Sequence, residues 1–397
     1  MSPEDVVITG IGFRVPGASN LDALIDLYRN GKPATRPLTG RLSAWAGGLV
    51  TAEDVDSADT KQMDRCSLLA LVAAREAVAM ANLSEHGQLD QAGVFVGCGG
   101  GGLITSEQAT LDLYEKDEIK SPTLFKTMAN GPTAQISMAF GCHGPTLTYA
   151  MACSSAAHAI GEAMLAIRAG RCDQAIAGGT EAPMTFSMHR TWVALRLLSP
   201  GQDGLCRPFC YERGGLLLGE GSVFFVLERR KSAAERGAPP LATIAGYGAR
   251  SDATHVTAPN ADGQAATIGQ AVRMSGLAAA DIGHVSAHGT ATFAGDISET
   301  KALKMVLGDS AQRLAVSATK SFHGHLLGAA GGVTVLASLL AVSRGFIVPT
   351  ANFGTPDKDL DLDYVPNVAR EHVTVKASLS NAFGFGGSNA SLILTPS

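Results

Sequence analysis

Charge is scarce in this chain. Asp, Glu, Lys and Arg make up 17% of its 397 residues, against 46% hydrophobic. That balance excludes a disordered chain and calls for a sizeable buried core. A basic excess is missing as well: the net charge is −5 and no basic arm or stripe occurs, which excludes a dedicated nucleic-acid binder. No stretch reaches the roughly 18 uninterrupted apolar residues of a bilayer-spanning helix, so no membrane association is expected. The opening Met1-Ser2-Pro3-Glu4-Asp5 lacks the basic leader of a signal peptide. Seven cysteines (66, 98, 142, 153, 172, 206 and 210) show no disulfide-framework spacing, and reduced thiols in a cytoplasmic protein are the expectation.

What the chain does have is glycine, 46 residues against an ordinary usage of about 7%. The glycines cluster beside apolar runs, which points to tight turns and close backbone approaches. Short buried strands are predicted at Val6–Thr9, Gly93–Val96, Pro145–Ala150, Asp173–Ala177, Val223–Leu227, His284–Ala287, Leu314–Ser317 and Ser391–Leu394. Helical stretches separate several of them, so the fold class is α/β with helix-covered sheets. Two helices, Ala156–Ala169 and Leu326–Val342, are apolar nearly all round and are predicted to be buried. One lies in each half of the chain, and the halves are expected to meet at Pro239-Pro240. The charged stretch Glu228–Arg236 reads as a solvated helix end closing the first half.

The strongest chemical signal is Ala150-Met151-Ala152-Cys153-Ser154-Ser155-Ala156. A strand ends here and a buried helix begins just after the cysteine. The free N–H groups and positive end of that helix are expected to stabilise a thiolate and lower its pKa. They could also hold an oxyanion. A small buried thiol is the competing reading, and position alone does not separate the two. The second half adds His288-Gly289-Thr290-Ala291-Thr292 and Lys320-Ser321-Phe322-His323-Gly324-His325, each after a strand. Strand ends in such sheets are where ligands gather. Asn381 to Asn389 reads as a glycine-rich turn able to bring backbone donors to a ligand. Gly10-x-Gly12 lacks the third glycine of a dinucleotide site, and Cys206 with Cys210 is too little for zinc; no metal is expected.

Taken together, the cysteine turn, His-Gly-Thr-Ala-Thr with Asp296 after it, and Lys320 followed by Gly324 to Gly331 resemble an elongating β-ketoacyl-acyl-carrier-protein synthase, of the thiolase superfamily. The resemblance runs nearly end to end. It implies two similar βαβαβαββ halves, 1–238 and 239–397, stacked as five layers αβαβα. It implies Cys153 as the acyl-accepting nucleophile, with His288 and His325 as neutral imidazoles stabilising the enolate of a malonyl extender. Lys320 would set the electrostatics around the second histidine. The N–H groups of Cys153 and Phe385 would form the oxyanion hole. Thr290 and Thr292 would hold the phosphopantetheine arm, and Ile104, Trp192 and Phe385 would line or gate the acyl pocket. No cofactor is implied beyond the phosphopantetheine that carries the substrates.

The implied partners are an acyl carrier protein and a second subunit, giving a homodimer or a heterodimer with a chain-length-factor-like chain. Thr334 stands where the family usually has a glutamate near the lysine, and Phe293 where proline is common. Basic residues near Lys61 and Arg65 are sparse, leaving Arg196 and Arg207 as carrier-docking candidates. These departures point to a specialised polyketide or polyene pathway over housekeeping fatty-acid synthesis. A thiolase would need a second cysteine near the carboxy terminus, and none follows Cys210. A non-catalytic chain-length partner generally lacks the nucleophile, which this chain keeps.

Overall fold

The computed structural model describes residues 4–51, 55, 62–84, 87–199 and 203–397. Ten strands form one hydrogen-bonded sheet: β1 (Val6–Arg14), β2 (Gly93–Gly97), β3 (Thr146–Tyr149), β4 (Gln174–Glu181), β5 (Gly221–Arg229), β6 (Ala242–Ser251), β7 (Ile282–Ser286), β8 (Ala315–Ser317), β9 (Ala377–Gly384) and β10 (Ser388–Thr395). Their spatial order is β8-β7-β9-β10-β6-β1-β5-β4-β2-β3. Outward from the centre, the first half runs first, fifth, fourth, second and third strand. The second half runs the same way. In each, the last strand is antiparallel to both its neighbours, while the two outer pairs are parallel. The halves join through antiparallel pairing of β1 with β6, Val6 opposite Ile244.

One packing device is used twice. A Cβ on Gly10 or Gly12 of β1 would sit 2.0 Å from the carbonyl oxygens of Ala77 and Ala73 on helix Arg65–Met80. In β6, Gly246 and Gly248 stand 2.2 Å from Ala271 and Thr267 on helix Ala261–Ser275 in the same sense. Glycine is needed at these positions because the helix backbone presses on the strand. The Gly10-x-Gly12 pattern is therefore a helix seat.

The two apolar helices occupy the centre, at Ser155–Arg168 and Ala330–Arg344. They touch closely enough that a Cβ on Gly331 would lie 2.7 Å from the Ala157 nitrogen. Each contacts strands of both halves of the sheet. Helices Arg65–Met80 and Gly131–Phe140 cover one outer face, and Ala261–Ser275 with Phe293–Leu307 the other, completing five layers. The apolar stretch Leu327–Arg344 is thus a core helix, 83% buried.

Two expectations need correction. Glu228 is not part of a solvated helix end: it is buried at the end of β5, accepts from Thr9, and pairs with Arg236 at 2.5 Å. The helix itself spans only Arg230–Glu235. Asn381–Asn389 is not one long turn but the hairpin of β9 and β10, closed by Phe385–Gly387.

Candidate active site

The chain reverses abruptly at Cys153. β3 ends, a single tight turn covers Ala152–Ser154, and the core helix starts at Ser155. Ala152 holds φ +49, a left-handed conformation that costs a non-glycine residue free energy and that tends to persist where the surroundings enforce it. Two hydrogen bonds do so here: Ser155 Oγ donates to the Ala152 carbonyl at 2.6 Å, and Met151 N–H donates to Ser155 Oγ at 2.9 Å. The turn aims Sγ into a cavity of about 320 Å³. The N–H groups of Cys153 and Phe385 both lie within hydrogen-bonding reach of the sulfur. Phe385 gets there because Gly384 lets β9 pass close to the Met151 carbonyl, where a Cβ would stand 2.6 Å away.

Expectation and structure part over the sulfur's charge. Burial pushes the Cys153 thiol up to about 12, outweighing Lys320 and the two N–H groups, which pull the other way. The resting sulfur is a neutral thiol. The helix start was expected to win, but the residue is 5% exposed in an apolar surround, and losing water costs a thiolate more than the nearby charge and N–H groups return.

His288 follows β7, and its backbone is clamped from below. The Glu299 carboxylate accepts from His288 N–H and Gly289 N–H, each at 2.9 Å, and from Asn381 Nδ2 at 3.0 Å. His325 is held between Leu217 and Gly219: its N–H donates to the Leu217 carbonyl at 2.6 Å, and its own carbonyl accepts from Gly219 N–H. Its Nδ1 accepts from Leu327 N–H at 3.2 Å, which leaves the proton on Nε2. The two rings stand edge to face, centroids 5.6 Å apart. Burial holds both imidazoles well below their ordinary range, and the Lys320 charge adds to this, so both are neutral near pH 7.

Lys320 was expected to act around the second histidine. Its charge does act on His325, and it also reaches His288: the ammonium donates to the His288 carbonyl and lies 3.5 Å from His288 Nδ1. The missing family glutamate leaves a visible trace: Thr334 is buried, donates to the Gly331 carbonyl and accepts from Ser380, both at 2.9 Å. The carboxylates that support the Lys320 charge are Glu299 and Asp296.

Thr290 and Thr292 line the same cavity, their hydroxyls 2.9 Å apart. Thr292 also caps the helix that begins at Phe293. Trp192 closes the apolar side, its ring stacked on Phe385 at 5.4 Å, packed with Cys153, Leu216, Leu218 and Leu327. Phe293 is 59% exposed at the mouth, under the Arg213 guanidinium. Ile104 is not brought to the cavity: it packs with Val50, Val55 and Cys66 in a separate cluster, because its helix turns that face toward β2's loop and not toward Cys153. Arg65 is committed to the buried Glu220 at 2.6 Å and Arg207 to Asp203 at 2.8 Å, so of the docking candidates Arg196 is the one at the mouth; Lys61 lies outside the described residues.

Two carboxylates escaped the sequence reading. Glu299 is one. Glu181, at the end of β4, accepts from the N–H groups of Gly99, Gly100 and Gly328, tying a loop of each half together beside Cys153. A buried glutamate after a strand of alanine and glycine gives no signal in one sequence; Glu299, eleven residues beyond His288, does not either.

A turn-mounted thiol, two neutral imidazoles and two convergent N–H groups around one cavity define an acyl-transfer site. The comparisons agree. Residues 3–233 match the family described as "Beta-ketoacyl synthase, N-terminal domain" and residues 241–354 "Beta-ketoacyl synthase, C-terminal domain". The chain belongs to the beta-ketoacyl synthase family and is a condensing acyltransferase. It is 39% identical to nodulation protein E of Rhizobium meliloti (strain 1021), over 98% of each chain. It is 36% identical to 3-oxoacyl-[acyl-carrier-protein] synthase 2 of Staphylococcus aureus (strain COL), over 98% of this chain and 97% of that one. Among solved structures, the ishigamide ketosynthase/chain length factor superposes with a TM-score of 0.93 at 31% identity, covering all of both chains. A type II polyketide ketosynthase in complex with its acyl-carrier protein gives 0.91 at 29%, again over all of both chains.

Proposed function

We propose that this protein extends a Cys153-bound acyl chain by decarboxylative condensation with a malonyl group on an acyl carrier protein. The observation that carries this reading is the meeting of one thiol and two neutral imidazoles at a single cavity, with Nδ1 of each ring facing a donor.

Loading forms a bond from Sγ to the acyl carbonyl. The tetrahedral oxyanion rests on the N–H groups of Cys153 and Phe385. The carrier's sulfur then leaves and takes up the proton that Cys153 gives up. No net acid or base is consumed, which suits a thiol that rests neutral. Splitting the reaction at a covalent intermediate replaces one hard step by two easier ones.

Condensation starts when malonyl-carrier protein enters. Its carboxylate leaves as carbon dioxide, and the electron pair of the broken C–C bond becomes an enolate. Nε2–H of His288 and of His325 donate to the enolate oxygen. Protonating a ring would put a second donor on Nδ1, which in His325 faces the Leu327 N–H, and would drive that ring out of position. The enolate carbon attacks the Cys153 thioester, the same oxyanion hole holds the second tetrahedral oxygen, and Cys153 departs as a thiolate that takes a proton from water, the one proton the decarboxylative step consumes. Thr290 and Thr292 would steady the phosphopantetheine arm, and no cofactor takes part beyond that arm. The halves 1–238 and 239–397 supply nucleophile and histidines respectively.

A second subunit would cover the free edge of the sheet. β3 is an outermost strand, and Leu124, Phe125, Met138 and Leu147 are exposed beside it, an edge that invites pairing. Native mass spectrometry would show whether that subunit is a copy of this chain or a chain-length-factor-like partner. Thr334 and the bulk of Trp192 favour a specialised polyketide or polyene role. The chain keeps its nucleophile, which disfavours the role of a non-catalytic chain-length partner.

The test is acyl loading. Incubation with acyl-carrier proteins of graded length should add the acyl mass to the wild-type protein, and Cys153→Ala should remove that gain. Loading that survives the substitution would refute the reading.

A further inference from the structure

Gln264 is a buried amide with half its hydrogen-bonding capacity unspent. It sits in the first turn of helix Ala261–Ser275 and lines the cavity that holds Cys153, yet it is only 2% exposed. Its Oε1 accepts from the Ser298 hydroxyl at 2.9 Å, and Ser298 belongs to the facing helix Phe293–Leu307. Among the described residues, nothing accepts from its Nε2. Ser298 in turn precedes Glu299, the carboxylate that clamps His288. The amide is therefore oriented by one helix and offers its two N–H donors to the cavity.

The Nε2 end is not among the sealed, unpartnered side-chain atoms and opens on the cavity, whereas an aliphatic side chain of similar size would fill this place with no polar group to orient. Simple packing between the two helices does not require glutamine here, nor a serine placed to hold its oxygen. A pair of N–H donors held in one orientation at the cavity wall is matched by a ligand that brings an acceptor. The cavity is otherwise mostly apolar on the Trp192 side and polar on this side, where Asp252 is already engaged by Asn389 at 2.5 Å. A carbonyl oxygen is the acceptor that fits. It needs no charge, and a carboxylate would meet Glu299 and Asp252 nearby.

We infer that Gln264, held by Ser298, is a substrate-binding residue that donates from Nε2 to a carbonyl oxygen of the thioester-borne substrate inside the cavity. This rests on the ketosynthase reading of the site. That carbonyl has two sources: an amide of the phosphopantetheine arm, or an oxygen on the acyl chain itself. A polar grip at this point fixes how deep the arm or chain sits relative to His288.

The test is binding, so that it does not depend on turnover. The probe is a phosphopantetheine thioether carrying a methyl ketone where the thioester would be, titrated by calorimetry. Gln264→Leu removes both the donor and the Ser298 contact. Gln264→Glu, assayed at alkaline pH so that its carboxyl is ionised beside Glu299 and Asp252, keeps an acceptor for Ser298 but removes the donor. Both should weaken binding about three- to tenfold, the range of one net hydrogen bond. A contact that only joined the two helices would spare Gln264→Glu, and unchanged affinity in that variant overturns the inference. Thermal unfolding of each variant shows whether it is folded. With a truncated thioether that keeps the ketone but lacks the arm amides, a persisting loss assigns the partner to the chain and a vanished loss assigns it to the arm. Failure of the wild type to load acyl groups on Cys153 would be a separate result, and would refute the proposed function, not this contact.

Discussion

Lys320 gives its hydrogen bond to the His288 carbonyl and gives His325 only its charge. The asymmetry makes a prediction about pH. A cation beside an imidazole disfavours protonation, so removing it raises both histidine pKa values toward the ordinary 6.5. Wild-type condensation should show no acid limb near pH 6.5. Lys320→Met should acquire one closer to neutrality and lose on the order of 100-fold in rate at pH 7. Matching pH–rate profiles for the two proteins would contradict this.

The buried thiol leads to a second prediction. With Cys153 pushed up to about 12, only a small thiolate fraction exists at pH 7, and that fraction grows about tenfold per pH unit. Alkylation of Cys153 by iodoacetamide should climb steadily from pH 7 to 10 with no plateau. A plateau below pH 8 would mean that the helix start and Lys320 overcome burial after all.

Much of the fold was legible because its signals are local. Short apolar runs located eight of the ten strands, and all-round apolarity located both core helices. β6 and β9 were missed. β6 carries Gly246 and Gly248, which weaken a strand signal and make sense only against helix Ala261–Ser275. β9 ends in the glycine-rich Phe385–Gly387, which masked the hairpin. At the site, residue identities could be read, but the balance of forces could not. The Cys153 pKa depends on how much water the fold removes, the Lys320 contact on which backbone carbonyl lies nearest, and Ile104's distance from the cavity on the rotation of its helix. Each is a property of packing.

Glu299 should matter to position more than to stability. In Glu299→Gln one carboxylate oxygen becomes an N–H₂ group, which breaks the Gly289 hydrogen bond if it stands at Oε2, or both the His288 and the Asn381 hydrogen bonds if it stands at Oε1. A loss of about 1–3 kcal/mol in unfolding free energy is expected. Condensation should slow more than Cys153 loading does. Equal slowing of both steps would assign Glu299 a purely structural role.

Trp192 and Phe385 stack across the apolar end of the cavity, and under the proposed function Trp192 would limit how far an acyl chain reaches past Phe385. Trp192→Leu should cost about 1–3 kcal/mol of stability. In exchange, it should admit longer acyl groups onto Cys153, as seen by intact mass. An unchanged length limit would place the boundary elsewhere in the cluster.

The two half-reactions can be separated in one measurement. His325→Ala and His288→Ala proteins are loaded with an acyl group, checked by intact mass, then given malonyl-carrier protein while carbon dioxide and elongated product are followed. If the imidazoles serve the enolate, both variants load Cys153 at near wild-type extent and release little carbon dioxide. Variants that cannot be loaded, or that decarboxylate malonyl groups at the wild-type rate, would contradict that assignment.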